Sequence, residues 1–172
     1  MLLGTGGVSV FALQFAKMMG AKVIVTSSSD EKLERARSLG ADHTINYKTT
    51  PAWDEVVQTM TDGKGVDIVL ETGGSATLSQ SLRAVRVSGQ IEVIGVINGM
   101  KGEVDVVAIL GKHVTVQGIS VGSRDSFEAM NLAITQNQLH PVIDKVFSFA
   151  QANDAVTYLL SGDHFGKVVI AI

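Results

Sequence analysis

The sequence predicts an α/β Rossmann fold, in which a doubly wound, parallel, six-stranded sheet carries helices on both faces. Short runs rich in valine and isoleucine alternate with stretches whose apolar residues recur at helical spacing. Glycine-rich turns separate these segments, since the chain of 172 residues has 18 glycines and only 2 prolines. Regular alternation of strands and helices is typical of βαβ units, whose sheets are parallel and covered on both sides. An extra strand, helix and strand are expected at the C-terminal end.

The elements are assigned in chain order from these patterns and from capping residues. The first strand is short, a glycine turn follows it, and Ser29 or Asp30 caps the second helix. The six strands of the sheet are predicted at residues 1–3, 22–26, 43–47, 66–71, 90–97 and 113–121. The helices between and after them are predicted at residues 8–19, 30–39, 52–61, 77–87 and 126–136. The C-terminal elements are a strand at 141–149, a helix at 151–160 and a strand at 166–172. Residues 1–140 therefore form the predicted Rossmann domain, and residues 141–172 form the additional elements.

Composition excludes several classes of function. The chain has 14 Lys and Arg against 17 Asp and Glu, so no basic excess exists for nucleic acid or an acidic membrane. No cysteine is present, which excludes disulfides, a thiol nucleophile and cysteine-ligated metals. No apolar run approaches the ~20 residues of a membrane helix, and the first residues lack the basic start of a signal peptide. We therefore expect a cytoplasmic protein that acts on small molecules.

A glycine motif lies between the first strand and the first helix. Gly4, Gly6 and Ser9 form the pattern Gly-x-Gly-x-x-Ser, the dinucleotide-binding fingerprint with serine at the third glycine position. Gly4 permits the tight turn, Gly6 lets a pyrophosphate approach the backbone, and a small residue at position 9 lets the helix pack against the sheet. The N–H groups of the helix start would then hold the phosphates.

The end of the second strand indicates which dinucleotide binds. The fingerprint expects an acidic residue there to accept from the ribose hydroxyls, but Ser27, Ser28 and Ser29 occupy the place. These hydroxyls, with Lys32 or Arg35 one turn later, can accommodate a 2′-phosphate that a carboxylate would repel. Asp30 and Glu31 count against this, although both lie in the first turn of a helix, where acidic residues are favoured. The sequence thus favours NADP(H) over NAD(H). The segments at residues 71–74 and 95–96 also follow strand ends, where we expect a groove for the cofactor.

Six segments together resemble the medium-chain dehydrogenase/reductase superfamily, with the zinc-type alcohol dehydrogenases and quinone oxidoreductases as the most similar branches. The segments run through the whole chain in the family's order: LLGTGGVS at 2–9, MGAKVI at 19–24, LGAD at 39–42, GVDIVLETGG at 65–74, GQIEVIG at 89–95 and GKVVI at 166–170. The resemblance covers the cofactor-binding half of such enzymes. It implies that zinc ligands and most of the substrate pocket belong to a catalytic domain outside these residues, and that residues 141–172 pack against that domain.

The resemblance also implies the positions that contact the cofactor. The pyrophosphate turn corresponds to Gly4, Gly6, Gly7 and Val8, the ribose-binding place to Ser27, Ser28 and Lys32, the adenosine wall to Thr72 and Gly74, and the nicotinamide carboxamide contacts to Ile94, Ile119 and Val121. It further implies a homodimer that joins through the edge strand at residues 113–121.

No residue of this chain is assigned a catalytic or metal-binding role. The four histidines are scattered without ligand spacing, and Tyr47 and Lys48 are adjacent rather than spaced as a catalytic pair. Glu71 is expected at a strand end or in the groove. The leading function is that of an NAD(P)(H)-binding domain of an oxidoreductase, inactive without its parent enzyme. A non-catalytic dinucleotide sensor and an S-adenosylmethionine-binding, methyltransferase-like domain stay as alternatives, although Ser27 disfavours the second.

Overall fold

The computed structural model describes residues 1–172 and contains eight strands and seven α-helices. The strands are β1 (Leu2–Leu3), β2 (Ile24–Ser27), β3 (His43–Asn46), β4 (Val66–Glu71), β5 (Val85–Val93), β6 (Thr115–Gly118), β7 (Ile143–Ser148) and β8 (Lys167–Ala171). The helices are α1 (Gly7–Met18), α2 (Asp30–Ser38), α3 (Trp53–Met60), α4 (Ser75–Ala84), α5 (Val106–Lys112), α6 (Arg124–Gln136) and α7 (Ala152–Ser161), with a 3-10 turn at Phe149–Gln151 before α7. No helix is both long enough and apolar enough to cross a membrane.

The predicted six-stranded parallel sheet is confirmed. Its strand order is β3-β2-β1-β4-β5-β6, and every neighbouring pair runs parallel. The chain therefore moves outward from β1 through β2 and β3 and then returns to β4 on the other side of β1. This reversal places a topological switch point between β1 and β4, where open α/β sheets bind their ligands.

The helices cover the sheet on two faces, each with its own apolar core. On one face, α1 and α2 pack through Val10, Leu13 and Ala36 against strand residues such as Val25. On the other face, helices α3 and α4 pack against the strands, and α5 adds partly buried residues to that core. Because both faces of the central strands are buried, the strands read as continuous runs of valine, isoleucine and leucine.

The fifth strand was placed wrongly by the sequence patterns. The helix predicted to reach Val87 ends at Ala84, and the strand expected at 90–97 spans Val85–Val93 instead. An irregularity in the register of β4 and β5, together with the positive φ of 55° at Ser88, interrupts this strand. Residues 94–97 turn away after the strand and lie beside the carboxyl ends of β4 and β5.

The following segment differs from the prediction in two further ways. Helix α5 was missed, because its apolar run VVAILGK has no clear polar face. In the structure none of its residues is fully buried. The strand predicted at 113–121 is shorter, at Thr115–Gly118, because His113 adopts a left-handed conformation that ends α5. Helix α6 also has no fully buried residue.

The C-terminal elements form a separate two-stranded parallel sheet, with β7 beside β8. They attach to the face that carries α1 and α2. Phe165 is fully buried in that core, and the Arg35 guanidinium lies 4.3 Å from its ring centroid while also pairing with Asp144 at 2.7 Å. The Gly166 N–H donates to the Thr5 carbonyl at 3.0 Å. The segment before β8 is thereby fixed beside the glycine turn.

Candidate functional site

A cavity of about 700 Å³ lies at the carboxyl ends of β1, β2 and β4 and beside the turn after β5. This size falls within the range of small-molecule and cofactor sites. Its wall contains one lysine and one histidine but no aspartate or glutamate. The lining residues are Leu3, Gly4, Thr5, Gly6, Gly7, Val8, Ser9, Thr26, Ser27, Ser28, Lys32, Tyr47, Pro51, Trp53, Thr72, Gly73, Thr77, Gln80, Ile94, Gly95, Ile97, Asn98, Leu159, Gly162 and His164.

The glycine turn forms the floor of this cavity. Gly4 has a φ of +77°, a conformation that favours glycine, and so turns the chain sharply out of β1. Gly6 precedes α1 as its cap with no side-chain hydrogen bond, so the first N–H groups of the helix have no side-chain acceptor. A Cβ added at Gly6 would meet only the His164 Nε2 atom, at 3.9 Å. The space above the turn is therefore open to an anion held by the helix N-terminus.

Ser9 explains how the third position of the fingerprint works without glycine. Its side chain is buried, and its Oγ donates to the Leu3 carbonyl at 2.8 Å. This bond connects α1 directly to β1 and satisfies a carbonyl at the end of a two-residue strand. A second contact comes from the Gly4 N–H, which donates to Thr26 Oγ1 at 3.4 Å.

The serines after β2 form one side of the cavity. Ser27 is buried, and its Oγ accepts from the Ser29 N–H at 3.4 Å. Ser29 in turn caps α2 by accepting from the Lys32 N–H at 3.3 Å. The Lys32 ammonium donates to the Gly162 carbonyl at 2.5 Å, so it lies between α2 and the end of α7. Lys32 therefore puts an unpaired positive charge at the place predicted to bind the ribose.

Glu71 organises the turn that follows β4. Its carboxylate is fully buried, and Oε1 accepts from the N–H groups of Gly73 and Gly74 at 2.8 and 3.1 Å. The hydroxyls of Thr77 and Ser81 donate to the same carboxylate. Glu71 thus lies at the strand end rather than in the groove, and it caps the start of α4 from behind the cavity wall.

Gly74 has a structural reason to be glycine. Its φ is +83°, and a Cβ added there would lie 2.3 Å from the Gly99 carbonyl oxygen. The Ser75 N–H donates to that same carbonyl at 3.0 Å. The turn after β4 is therefore packed directly against the loop after β5.

Nine of the twelve positions expected to contact a cofactor line the cavity: Gly4, Gly6, Gly7, Val8, Ser27, Ser28, Lys32, Thr72 and Ile94. The other three are not part of its wall. Gly74 lies behind the wall, as described above. Ile119 follows β6, where its N–H donates to the Val93 carbonyl at 2.9 Å, and Val121 is 88% exposed beyond it.

The sequence patterns missed the wall that comes from the end of the chain. Leu159, Gly162 and His164 line the cavity from α7 and the segment after it. The Nδ1 atom of His164 is buried without a hydrogen-bond partner, while Nε2 faces Gly6. Burial, and next the charge of Lys32, lowers the pKa of His164 below its usual value, so its imidazole is neutral at pH 7. No local motif marks this residue, because only the fold brings it to the glycine turn.

No group of three or more His, Cys, Asp or Glu side chains is arranged to hold a metal ion. A dinucleotide fits better, because the cavity combines an open helix N-terminus with a wall free of carboxylates. Phosphate groups bind at helix N-termini through the backbone N–H groups and the helix dipole.

Comparison with known proteins agrees with this geometry. The family model "Zinc-binding dehydrogenase" matches residues 7–137. Over its whole length, the chain is 47% identical to a zinc-type alcohol dehydrogenase-like protein from Schizosaccharomyces pombe, and the match covers 51% of that protein. A crystal structure of an NAD-dependent alcohol dehydrogenase matches 99% of the chain at 32% identity with a TM-score of 0.91, over 50% of that protein. A mycobacterial protein in complex with NADPH matches 99% of the chain at 27% identity with a TM-score of 0.85, over 57% of its own length. The chain thus spans about half the length of the proteins it matches.

Proposed function

We propose that the chain forms the nicotinamide dinucleotide-binding part of an oxidoreductase. The chain belongs to the zinc-binding dehydrogenase family. The observation that carries the proposal is the cavity at the switch point of the sheet, which opens onto a glycine turn and has no carboxylate in its wall. When bound there, the nicotinamide would accept or donate the hydride of the reaction. The substrate of the parent enzyme is proposed to be an alcohol, an aldehyde or ketone, an enone or a quinone.

The residues of this chain would bind and orient the cofactor rather than carry out chemistry. The turn from Gly4 to Val8 would hold the pyrophosphate through backbone N–H groups. Thr72 at the end of β4 and Ile94 at the end of β5 would line the path toward the nicotinamide, to which Ile119 and Val121 are also assigned. Gly74 would support the adenosine wall from behind. Any zinc ion would have to be bound by residues other than these.

The proposed function predicts saturable binding of a dinucleotide that depends on the open space at Gly6. Isothermal titration with NADPH, NADH and S-adenosylmethionine compares the candidate ligands directly. We expect Gly6→Ala to fold normally, because the new Cβ meets only one atom at 3.9 Å, and to bind NADPH at least ~10-fold more weakly, because the methyl group occupies the space of a phosphate.

Gly111→Ala is the matched control, since a Cβ there meets nothing and the position is far from the cavity on α5. It should bind like the wild type. A folded wild-type chain that binds S-adenosylmethionine but neither dinucleotide would refute the proposal. Binding of dinucleotide without any oxidoreductase activity in the parent protein would favour the alternative of a sensor.

We further propose that the site prefers NADP(H) to NAD(H). Lys32 supports this preference, because its ammonium is at the cavity wall without a carboxylate partner and can pair with a 2′-phosphate. Ser27 and Ser28 support it as well, because no acid there would repel that phosphate. Lys32→Met should weaken NADP(H) binding more than NAD(H) binding, whereas Lys22→Met, at an exposed position, should change neither. Equal losses for both dinucleotides would contradict the preference.

A homodimer through β6 is also proposed. β6 is the edge strand of the sheet, so one side of its backbone has no strand partner. Val116 is exposed in this strand, and Ile119 and Val121 are exposed just after it. Sedimentation velocity should show a dimer, and Val116→Lys should shift it toward the monomer. A wild-type monomer at all concentrations would refute this assembly. The cytoplasmic location expected from the sequence stays a prediction that cell fractionation can check.

Residues 141–172 are proposed to pack against the catalytic part of the parent enzyme. These elements expose several large apolar side chains: Ile143, Val146, Phe149, Val156 and Leu160. Exposed apolar surface of this kind usually marks a contact with another domain or chain.

A further inference from the structure

His164 occupies an unusual place in the cavity wall. It comes from the end of the chain, yet its Nε2 atom lies 3.9 Å from the position that a Gly6 Cβ would take. The next residue, Phe165, is fully buried, and the Gly166 N–H is bound to the Thr5 carbonyl at 3.0 Å. The backbone on this side of the histidine is therefore fixed, and its ring is held over the glycine turn.

The hydrogen bonding of the ring indicates which nitrogen carries the proton. Nδ1 is buried and has no partner. A buried N–H without an acceptor is rarer in proteins than a buried acceptor without a donor. The neutral ring therefore keeps its proton on Nε2, and this N–H points at the space above Gly6.

The charges around the ring favour an anion there. Lys32 from α2 and Lys167 from β8 face His164 with positive charge, and Asp144 from β7 and Asp163 beside it face it with negative charge. Asp144 is already paired with Arg35 at 2.7 Å and accepts from the Tyr158 hydroxyl. Lys167 forms no ion pair, and its ammonium lies 2.6 Å from the position of a Gly7 Cβ. Lys167 thus brings a positive charge to the glycine turn, and of the two nearby acids Asp144 is already paired.

We propose that His164 contacts the bound ligand directly, donating a hydrogen bond from the Nε2 atom of its neutral imidazole to a diphosphate oxygen above Gly6. This inference rests on the proposed function, because it assigns one more contact to the same dinucleotide. The C-terminal elements then complete the phosphate site beside the glycine turn. Burial and the charge of Lys32 keep the pKa of His164 low, and protonation would also put an unpaired N–H at Nδ1, so the neutral ring is the donor at pH 7.

Two substitutions at this position test the proposal through NADP+ titrations between pH 7 and 9. His164→Leu removes the donor and keeps an apolar side chain of similar bulk, so we expect ~10- to 100-fold weaker binding, the loss typical of one hydrogen bond to a charged group. His164→Gln places an amide N–H near the position of Nε2 and should recover most of the affinity. Between pH 7 and 9, His164 should add no pH dependence to the affinity of the wild type for NADP+, because the ring is already neutral.

His43→Leu is the matched control, since this exposed histidine begins β3 and so lies at the amino end of that strand, away from the cavity at the carboxyl ends. Nitrogen-15 NMR of the imidazoles gives a second readout, which should show the Nε2–H tautomer of His164 and a shift of Nε2 on addition of NADP+. Thermal unfolding of each variant checks that it is folded.

If the wild type binds NADP+ and His164→Leu binds it with the same affinity, this inference is overturned and the proposed function stays intact. Equal losses in His164→Leu and His164→Gln, or binding that strengthens below pH 7 only when His164 is present, would also overturn it, since the donor would then not be the neutral ring. A folded wild-type chain that binds no dinucleotide would instead refute the proposed function, and this contact with it.

Discussion

Replacing Glu71 with alanine should remove the support of the turn behind the cavity. The buried carboxylate accepts four hydrogen bonds, two from backbone N–H groups and two from hydroxyls. The hydroxyls can rotate to other acceptors, and Thr77 Oγ1 already lies 3.4 Å from the Gly74 carbonyl. The N–H groups of Gly73 and Gly74 cannot rotate, so they lose their only acceptor.

The size of the effect follows from these two donors. A buried donor without its partner costs ~1–3 kcal/mol, which gives ~2–6 kcal/mol for the pair. Domains of this size are stable by ~5–15 kcal/mol, so Glu71→Ala should lose a large fraction of the free energy of unfolding. Urea unfolding followed by circular dichroism measures this loss as a lower midpoint, with the slope of the transition unchanged.

Two further variants of glutamate separate the causes of that loss. Glu71→Gln keeps one acceptor oxygen for the N–H groups and should cost only ~1–2 kcal/mol. Glu128→Ala removes an exposed glutamate that pairs with Arg124, and it should cost less than ~1 kcal/mol. The reasoning is refuted if Glu71→Ala is destabilised no more than Glu128→Ala.

Two other predictions test the packing of the turns and of the C-terminal elements. Gly74→Ala should lose ~2–4 kcal/mol of the free energy of unfolding in urea, because its φ is +83° and its Cβ would clash with the Gly99 carbonyl. Gly111→Ala is the control and should be neutral or stabilising, because the space around it is open and it lies in a helix. Asp144→Asn should lose ~1–2 kcal/mol at pH 7, because hydrogen bonds from Tyr158 and Arg35 outweigh burial and hold the pKa of this carboxyl below 3.8. Since the folded-state pKa is depressed, that difference should be constant above pH ~5 and shrink as the pH falls below the unfolded-state value toward the folded-state one. A difference that does not shrink on acidification would contradict the role of the charge.

The parts of the site that depend on neighbouring residues could be predicted from the sequence. The turn from Gly4 to Ser9 is local, because its glycine spacing, the preceding strand and the following helix all lie within a few residues. The same holds for the serines after β2, whose position follows from the end of a run of β-branched residues. Ser9 was expected only to be small, but the structure adds a specific bond from its hydroxyl to the Leu3 carbonyl.

Features that depend on tertiary contacts could not be predicted. Val85 and Val87 are also compatible with a helix end, and only the pairing of Val85 with Val66 of β4 shows that a strand begins there. His164 had no distinguishing neighbour in the sequence, since its position over Gly6 depends on Phe165 entering a core built from α1 and α2. Such contacts join residues from opposite ends of the chain, and no periodicity reports them.

The distribution of charge around the cavity connects these observations. Two acidic side chains near the wall, Glu71 and Asp54, are already occupied by donors behind it. Glu71 is surrounded by four donors, and hydrogen bonds from Arg83 and Gln80 outweigh the burial of Asp54 and hold its pKa below the usual value. Two positive groups, by contrast, have no carboxylate partner: Lys32 in the cavity wall and Lys167 beside Gly7 in the glycine turn. Acids that stabilise the scaffold and cations left free in front of it produce a field that favours a polyanion, which is what a dinucleotide with two or three phosphates supplies.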